Sequence, residues 1–156
     1  MKWPLMIARF LCGIVLATAV TSNAADCNVS TAGAAFGAYV SLSGTTGDTI
    51  GAVKVTCSGT VGELVSYTVS ADWIVQGGLR SATDGKTSVL YALYVDGGRS
   101  QPWGDGSSGS FVISDNYQMG TPTSSRSYYV YGRIFAAQTS ASAGNYTANV
   151  TLQLNY

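Results

Sequence analysis

The chain predicts an all-β fold, a sandwich or a barrel, and three observations predict it. Residues 145–156 alternate without a break: Tyr146, Ala148, Val150, Leu152, Leu154 and Tyr156 are apolar, and Asn145, Thr147, Asn149, Thr151, Gln153 and Asn155 are polar. A period of two marks a strand with one buried and one wet face. Clusters of Gly, Ser, Thr and Asn punctuate the chain at roughly the eight-to-twelve-residue spacing of short strands joined by turns. Beyond residue 24 no segment has a convincing helical period.

Residues 1–24 read as a signal peptide. Lys2 and Arg9 supply the positive region, Phe10 to Val20 the apolar region, and Ser22-Asn23-Ala24 the small-residue cleavage signal, which places the cut between Ala24 and Ala25. Asn23-Ala24-Ala25 would move it by one residue, and Ala17-Thr18-Ala19 is an earlier, lower-ranked alternative. The apolar run is short for a bilayer span. Cys12 lies inside that run rather than after it, which argues against a lipid anchor. An exported protein without stable membrane insertion is expected.

Residues 25–156 then form one domain of 132 residues, long enough for a real core. The predicted strands are Cys27–Thr31, Ile50–Ser58, Leu64–Ser70, Ser88–Asp96, Ser110–Ser114, Tyr128–Phe135 and Asn145–Tyr156, with a short further piece at Ala38–Leu42. Asp84-Gly85, Asp96-Gly97-Gly98 and Asp105-Gly106 supply tight turns between them. In Val89-Leu90-Tyr91-Ala92-Leu93-Tyr94-Val95 neither parity is polar, which suits a strand covered on both faces. The final strand runs to the last residue given, and some other segment is expected to lie against it.

Cys27 and Cys57 remain after processing. Export and an even count argue for a disulfide between them, with two buried free thiols as the minor alternative. Strand parity agrees, because Cys57 continues the apolar series Val53 and Val55, and Cys27 shares parity with Val29. Closing that loop should stabilise the fold by roughly 3–4 kcal/mol.

Six basic residues (Lys54, Arg80, Lys86, Arg99, Arg126, Arg133) face eight acidic ones after processing, a net charge of −2, and 32 Ser and Thr carry most of the polarity. No basic patch invites nucleic acid. The chain has no histidine, which removes the usual general base, the usual zinc ligand and the Ser-His and Cys-His pairs together. No nucleophile elbow or phosphate loop occurs. The acids Asp48, Asp84, Asp96, Asp105 and Asp115 read mostly as turn residues bonding their own backbone, and calcium binding at Asp96, Asp105 or Asp115 lacks a metal-loop spacing. No enzyme activity, cofactor or metal site is expected. Among the aromatics, Trp103 in Trp103-Gly104-Asp105-Gly106 is the candidate for an exposed surface or ligand contact, set against the plainer reading of sheet core.

Cys27-Asn28-Val29-Ser30, Phe36-Gly37-Ala38-Tyr39, Val53-Lys54-Val55-Thr56-Cys57, Leu90-Tyr91-Ala92-Leu93-Tyr94-Val95-Asp96, Trp103-Gly104-Asp105-Gly106, Tyr131-Gly132-Arg133-Ile134 and Ala143-Gly144-Asn145-Tyr146 stand in an order and spacing that resembles the spore coat protein U domain, shared with subunits of archaic, Csu-type chaperone–usher pili. The resemblance covers essentially all of residues 25–156. It implies an immunoglobulin-like sandwich lacking its final strand, completed first by a periplasmic chaperone and then, at an outer-membrane usher, by the neighbouring subunit. On that expectation Tyr146, Ala148, Val150, Leu152, Leu154 and Tyr156 line the acceptor groove, and the product is a surface fimbria or spore coat. Rod-forming relatives carry about ten alternating residues before their first cysteine. Here only Ala25 and Asp26 precede Cys27, so a strand-accepting subunit at the fibre tip is expected. A carbohydrate- or surface-binding adhesin is the alternative.

Overall fold

The computed structural model describes residues 24–72, 74 and 78–156. The signal-peptide reading of residues 1–23, and Trp73, lie outside them. The described residues hold eight strands and no helix: β1 (Asp26–Thr31), β2 (Gly47–Ser58), β3 (Leu64–Ala71), β4 (Arg80–Thr83), β5 (Ser88–Tyr94), β6 (Ile113–Gln118), β7 (Thr123–Ile134) and β8 (Leu152–Asn155). They form two sheets facing each other, a five-stranded one in the order β1-β2-β7-β5-β4 and a three-stranded one in the order β6-β3-β8. Every pairing between these strands is antiparallel.

Alternation decides which side chains fill the space between the sheets. Val53, Val55 and Cys57 of β2 point inward and are buried, while Lys54 and Ser58 are exposed. Val65, Tyr67, Val69 and Ala71 of β3 meet them from the opposite sheet. β2 and β7 pair along their full lengths, from Gly47 opposite Ile134 to Ser58 opposite Thr123, and form the spine of the larger sheet. The second half of β5 is covered on both faces, with Tyr91, Ala92, Leu93 and Tyr94 all buried, whereas Leu90 in its first half is exposed. Pro102 and Trp103 fold back on the end of that strand, with the Trp103 amide donating to Leu93 O at 2.8 Å.

Cys27 and Cys57 are bonded, with their Cα atoms 4.0 Å apart on directly opposed positions of β1 and β2. Such a separation belongs to the closer, non-hydrogen-bonded class of antiparallel pair.

The segment expected as a strand at Ala38–Leu42 is not one. Residues 33–40 instead run across the end of the larger sheet and seal the core with side chains. Phe36 packs edge-on to Tyr91, ring centroids 5.8 Å apart, and sits so close to Gly132 that a Cβ there would come within 2.7 Å of its ring. The Tyr39 hydroxyl donates to Phe135 O at 2.6 Å. β6 begins three residues later than the predicted Ser110–Ser114 and runs to Gln118, and β4, only four residues long, has no counterpart in the predicted strands.

Candidate functional site

The C-terminal segment departs most from its expected form. Of Asn145–Tyr156 only Leu152–Asn155 forms a ladder, opposite Thr68–Ala71 of β3. Upstream, Thr147 exchanges two backbone bonds with Thr83 of β4, at 2.9 and 3.0 Å. Between these contacts the Asp72 amide donates to Thr151 O at 2.8 Å. The segment thus leaves the edge of the larger sheet and joins the smaller one, and its alternation serves two sheets in turn rather than one uninterrupted strand.

The Asp72-to-Thr151 bond also fixes which backbone groups remain free. In an antiparallel ladder alternate residues direct their N–H and C=O toward the partner and the others away. Thr151, Gln153 and Asn155 therefore face β3, and Leu152 and Leu154 direct their backbone groups outward. Among the described residues nothing pairs with that outer edge. β1 follows the same logic. The Ala32 amide donates to Ala52 O at 3.0 Å, so the even residues of β1 face β2, and Cys27, Val29 and Thr31 turn their backbone groups to an outer edge that is also without a partner.

These two edges lie next to each other across the sandwich. The Tyr156 hydroxyl donates to Asp26 Oδ1 at 3.1 Å, joining the end of one to the start of the other. Val29 from β1 and Val150, Leu152 and Leu154 from the C-terminal segment pack against the core while remaining half-buried. The flank therefore combines unpaired backbone groups on both sides with partly covered apolar side chains, the two ingredients of strand addition.

The predicted groove residues divide into two sets. Leu152 and Leu154 of β8 line this flank, with exposed Tyr156 at its end, and Val150 packs against the core where the segment crosses between the sheets. Tyr146 lies elsewhere: its hydroxyl donates to Ser142 O at 2.8 Å and contacts Thr87 Oγ1, which anchors it to the turn between β4 and β5. Ala148 is exposed beside the crossing point. Val29 and the outward backbone of β1 were not among the predicted groove residues. The shared parity of Cys27 and Val29 showed that Val29 points inward, but not that β8 would be its neighbour.

The model of the Spore Coat Protein U domain matches residues 14–153, nearly the whole chain. The chain belongs to the Spore Coat Protein U domain family. That family is associated with chaperone–usher pilus and coat subunits and is structural rather than enzymatic. No curated protein matches the chain at a significant level.

Elsewhere in this Spore Coat Protein U domain the polar residues are occupied in holding the fold. Asp84 accepts from the amides of Thr87 (2.7 Å) and Lys86 (2.8 Å), and those bonds hold its carboxyl below the usual carboxylate range. Asp105 is lowered likewise by the hydroxyl and amide of Ser107. Asp48 is not a turn residue: it pairs with Arg133 through two bonds of 2.7 and 2.8 Å, which lower its pKa. No group of three or more His, Cys, Asp or Glu among the described residues could hold a metal ion.

Trp103 corrects an expectation. It is only 3% exposed, and its indole N–H donates to Val69 O at 3.1 Å. The flexible glycines around it do not expose the ring. Gly104 lets the chain pass Ser110 closely enough that a Cβ would come within 2.7 Å of that side chain. Trp103 is not available as a surface contact.

Proposed function

We propose that this protein is a structural subunit of a surface fibre or coat that joins its neighbours by accepting a β-strand along the flank between β1 and β8. The single observation that carries the reading is that flank: two adjacent strand edges without partners among the described residues, over half-buried Val29, Leu152 and Leu154, with Val150 at its upstream end. A segment with apolar residues at alternate positions would pair with the edges and complete the burial of these side chains. Finishing the cover of four side chains that are already half-buried gives a gross gain of roughly 3–6 kcal/mol, to which the new backbone pairing adds, against about 4–15 kcal/mol for lost rotational and translational freedom. Preorganised edges and a rigid disulfide-tied wall favour the positive balance.

On this reading a periplasmic chaperone lends the strand first, and an outer-membrane usher exchanges it for that of another subunit. Ala25 and Asp26 are too few to act as a donated strand, so the subunit accepts without donating and stands at the fibre tip. The burial of Trp103 leaves the carbohydrate-binding alternative without its aromatic contact.

Periplasmic expression with and without the cognate chaperone tests the proposal. The expected result is aggregation or degradation alone and a soluble one-to-one complex with the helper. A synthetic alternating peptide should replace the helper, and the same peptide N-methylated along one edge should not. Monomeric cooperative folding without a partner, or equal binding of both peptides, overturns the reading.

A further inference from the structure

Ala25 occupies a built seat. It is 8% exposed although Ala24 beside it is exposed. Its backbone N–H donates to Glu63 Oε1 at 2.7 Å. The carboxylate is itself held rigidly: Glu63 Oε2 accepts from the Thr60 amide at 2.9 Å, the Glu63 amide donates to Thr60 O at 3.0 Å, and Glu63 O accepts from the Met119 amide at 2.8 Å. Gly59 leaves room for both partners. A Cβ on Gly59 would lie 2.5 Å from Glu63 Oε2 and 3.1 Å from the Ala25 methyl. An anionic oxygen is therefore fixed against the nitrogen of the residue that follows the expected cleavage point.

We propose that this carboxylate is the receptor for a new chain terminus: cleavage after Ala24 frees the α-ammonium of Ala25, which pairs with Glu63 and fixes the start of β1. Hydrolysis of the Ala24–Ala25 bond consumes one water and leaves a carboxylate on Ala24 and an ammonium on Ala25. The precursor offers Glu63 one neutral amide donor; the processed chain offers a full positive charge with three. Charge-assisted bonds of this kind are about twice as strong as neutral ones. The nearest other acid in sequence, Asp26, is engaged by the Tyr156 hydroxyl, so Glu63 is the partner the geometry provides. A cut one residue later would remove the buried Ala25, and an earlier cut would leave an amide in the seat. The inference rests on the signal-peptide reading and is independent of strand acceptance. Its consequence is local: β1, one wall of the flank, is tied at its first residues by this pair and at Cys27 by the disulfide.

Intact mass and amine labelling of the exported protein test it. The mature chain should begin at Ala25. Its α-amine should react with an acylating reagent about tenfold more slowly in the native state than in concentrated urea, the retardation that about 1.4 kcal/mol of protection gives. Glu63→Gln should bring the native rate toward the unfolded one and lower the thermal midpoint by about 4 °C. In a chain that keeps Ala24 as its first residue the same substitution should cost much less, because the ammonium is then displaced from the seat. Should Glu63→Gln fail to fold, the native-against-urea comparison on the unaltered protein decides by itself. A mature start other than Ala25, equal labelling in the two states, or an equal effect of Glu63→Gln with both termini overturns the inference.

Discussion

Trp103 shows how little a side chain's neighbours in sequence say about its exposure. Flanking glycines suggested an exposed ring, yet the ring is buried, and Gly104 serves a close approach to Ser110. Replacing Trp103 with Ala should cost about 3–5 kcal/mol in urea unfolding, the range for emptying a large aromatic site, because the Val69 carbonyl also loses its donor. A loss under about 1 kcal/mol would mean that the ring is not part of the core. The phenol of Tyr128 makes a similar point. It donates to Asp115 at 2.5 Å and accepts from Tyr67 at 2.5 Å, linking β7 to β6 and β3. Burial first, then the bonds to Asp115 and Tyr67, keeps it protonated far above the ordinary tyrosine range. Nothing in the run Tyr128-Tyr129-Val130-Tyr131 distinguished this half-buried phenol from Tyr129, which is 66% exposed on the other face.

Among the elements, strands with a strong local pattern were legible and those shaped by distant contacts were not. β1, β2, β3 and β5 stand close to their predicted bounds because apolar residues alternate along β1, β2 and β3 against a single core and fill both parities of β5. β4 is four residues long and owes its pairing to β5 and to the Thr147 bridge, neither of which leaves a trace in Arg80-Ser81-Ala82-Thr83. Ala38–Leu42, expected as a short strand, instead contributes Tyr39 as a plug. The inward parity of the C-terminal segment holds at Val150, Leu152 and Leu154, whereas Ala148 and Tyr156 of the same series are exposed, and parity alone cannot say that the chain changes sheets near Asn149 and Val150. Hence half of the candidate site, Val150, Leu152 and Leu154, could be read in advance, and the facing wall of β1 could not. That wall is held by Cys27–Cys57. Reduction of the bond should cost roughly 3–4 kcal/mol, seen as a lower denaturation midpoint, and should weaken capture of an added strand in the same sample. Unchanged strand binding after complete reduction would mean that β1 is not part of the accepting surface.

For the whole molecule, stability and assembly are coupled if the flank accepts a strand. A ligand that binds only the folded state raises unfolding free energy by about 2.7 kcal/mol at a hundredfold excess over its Kd. The midpoint of this domain should therefore climb with the concentration of an alternating peptide, and calorimetry at several concentrations reads it directly. A midpoint indifferent to peptide would remove the coupling. Low net charge and a Ser/Thr-rich surface add little repulsion between copies, so on this reading the unpaired edges rather than long-range fields would govern association.

The crossing of residues 147–155 has a mechanical consequence. A strand lodged beside β8 would transmit any pull first to Leu152–Asn155, then to β3 through their ladder and to β4 through Thr147 and Thr83. Tension would be divided between both layers and would act along the strands, so that several bonds must break together instead of opening one after another. A domain laced in this way resists being drawn apart at its joint, as a load-carrying link in a chain must.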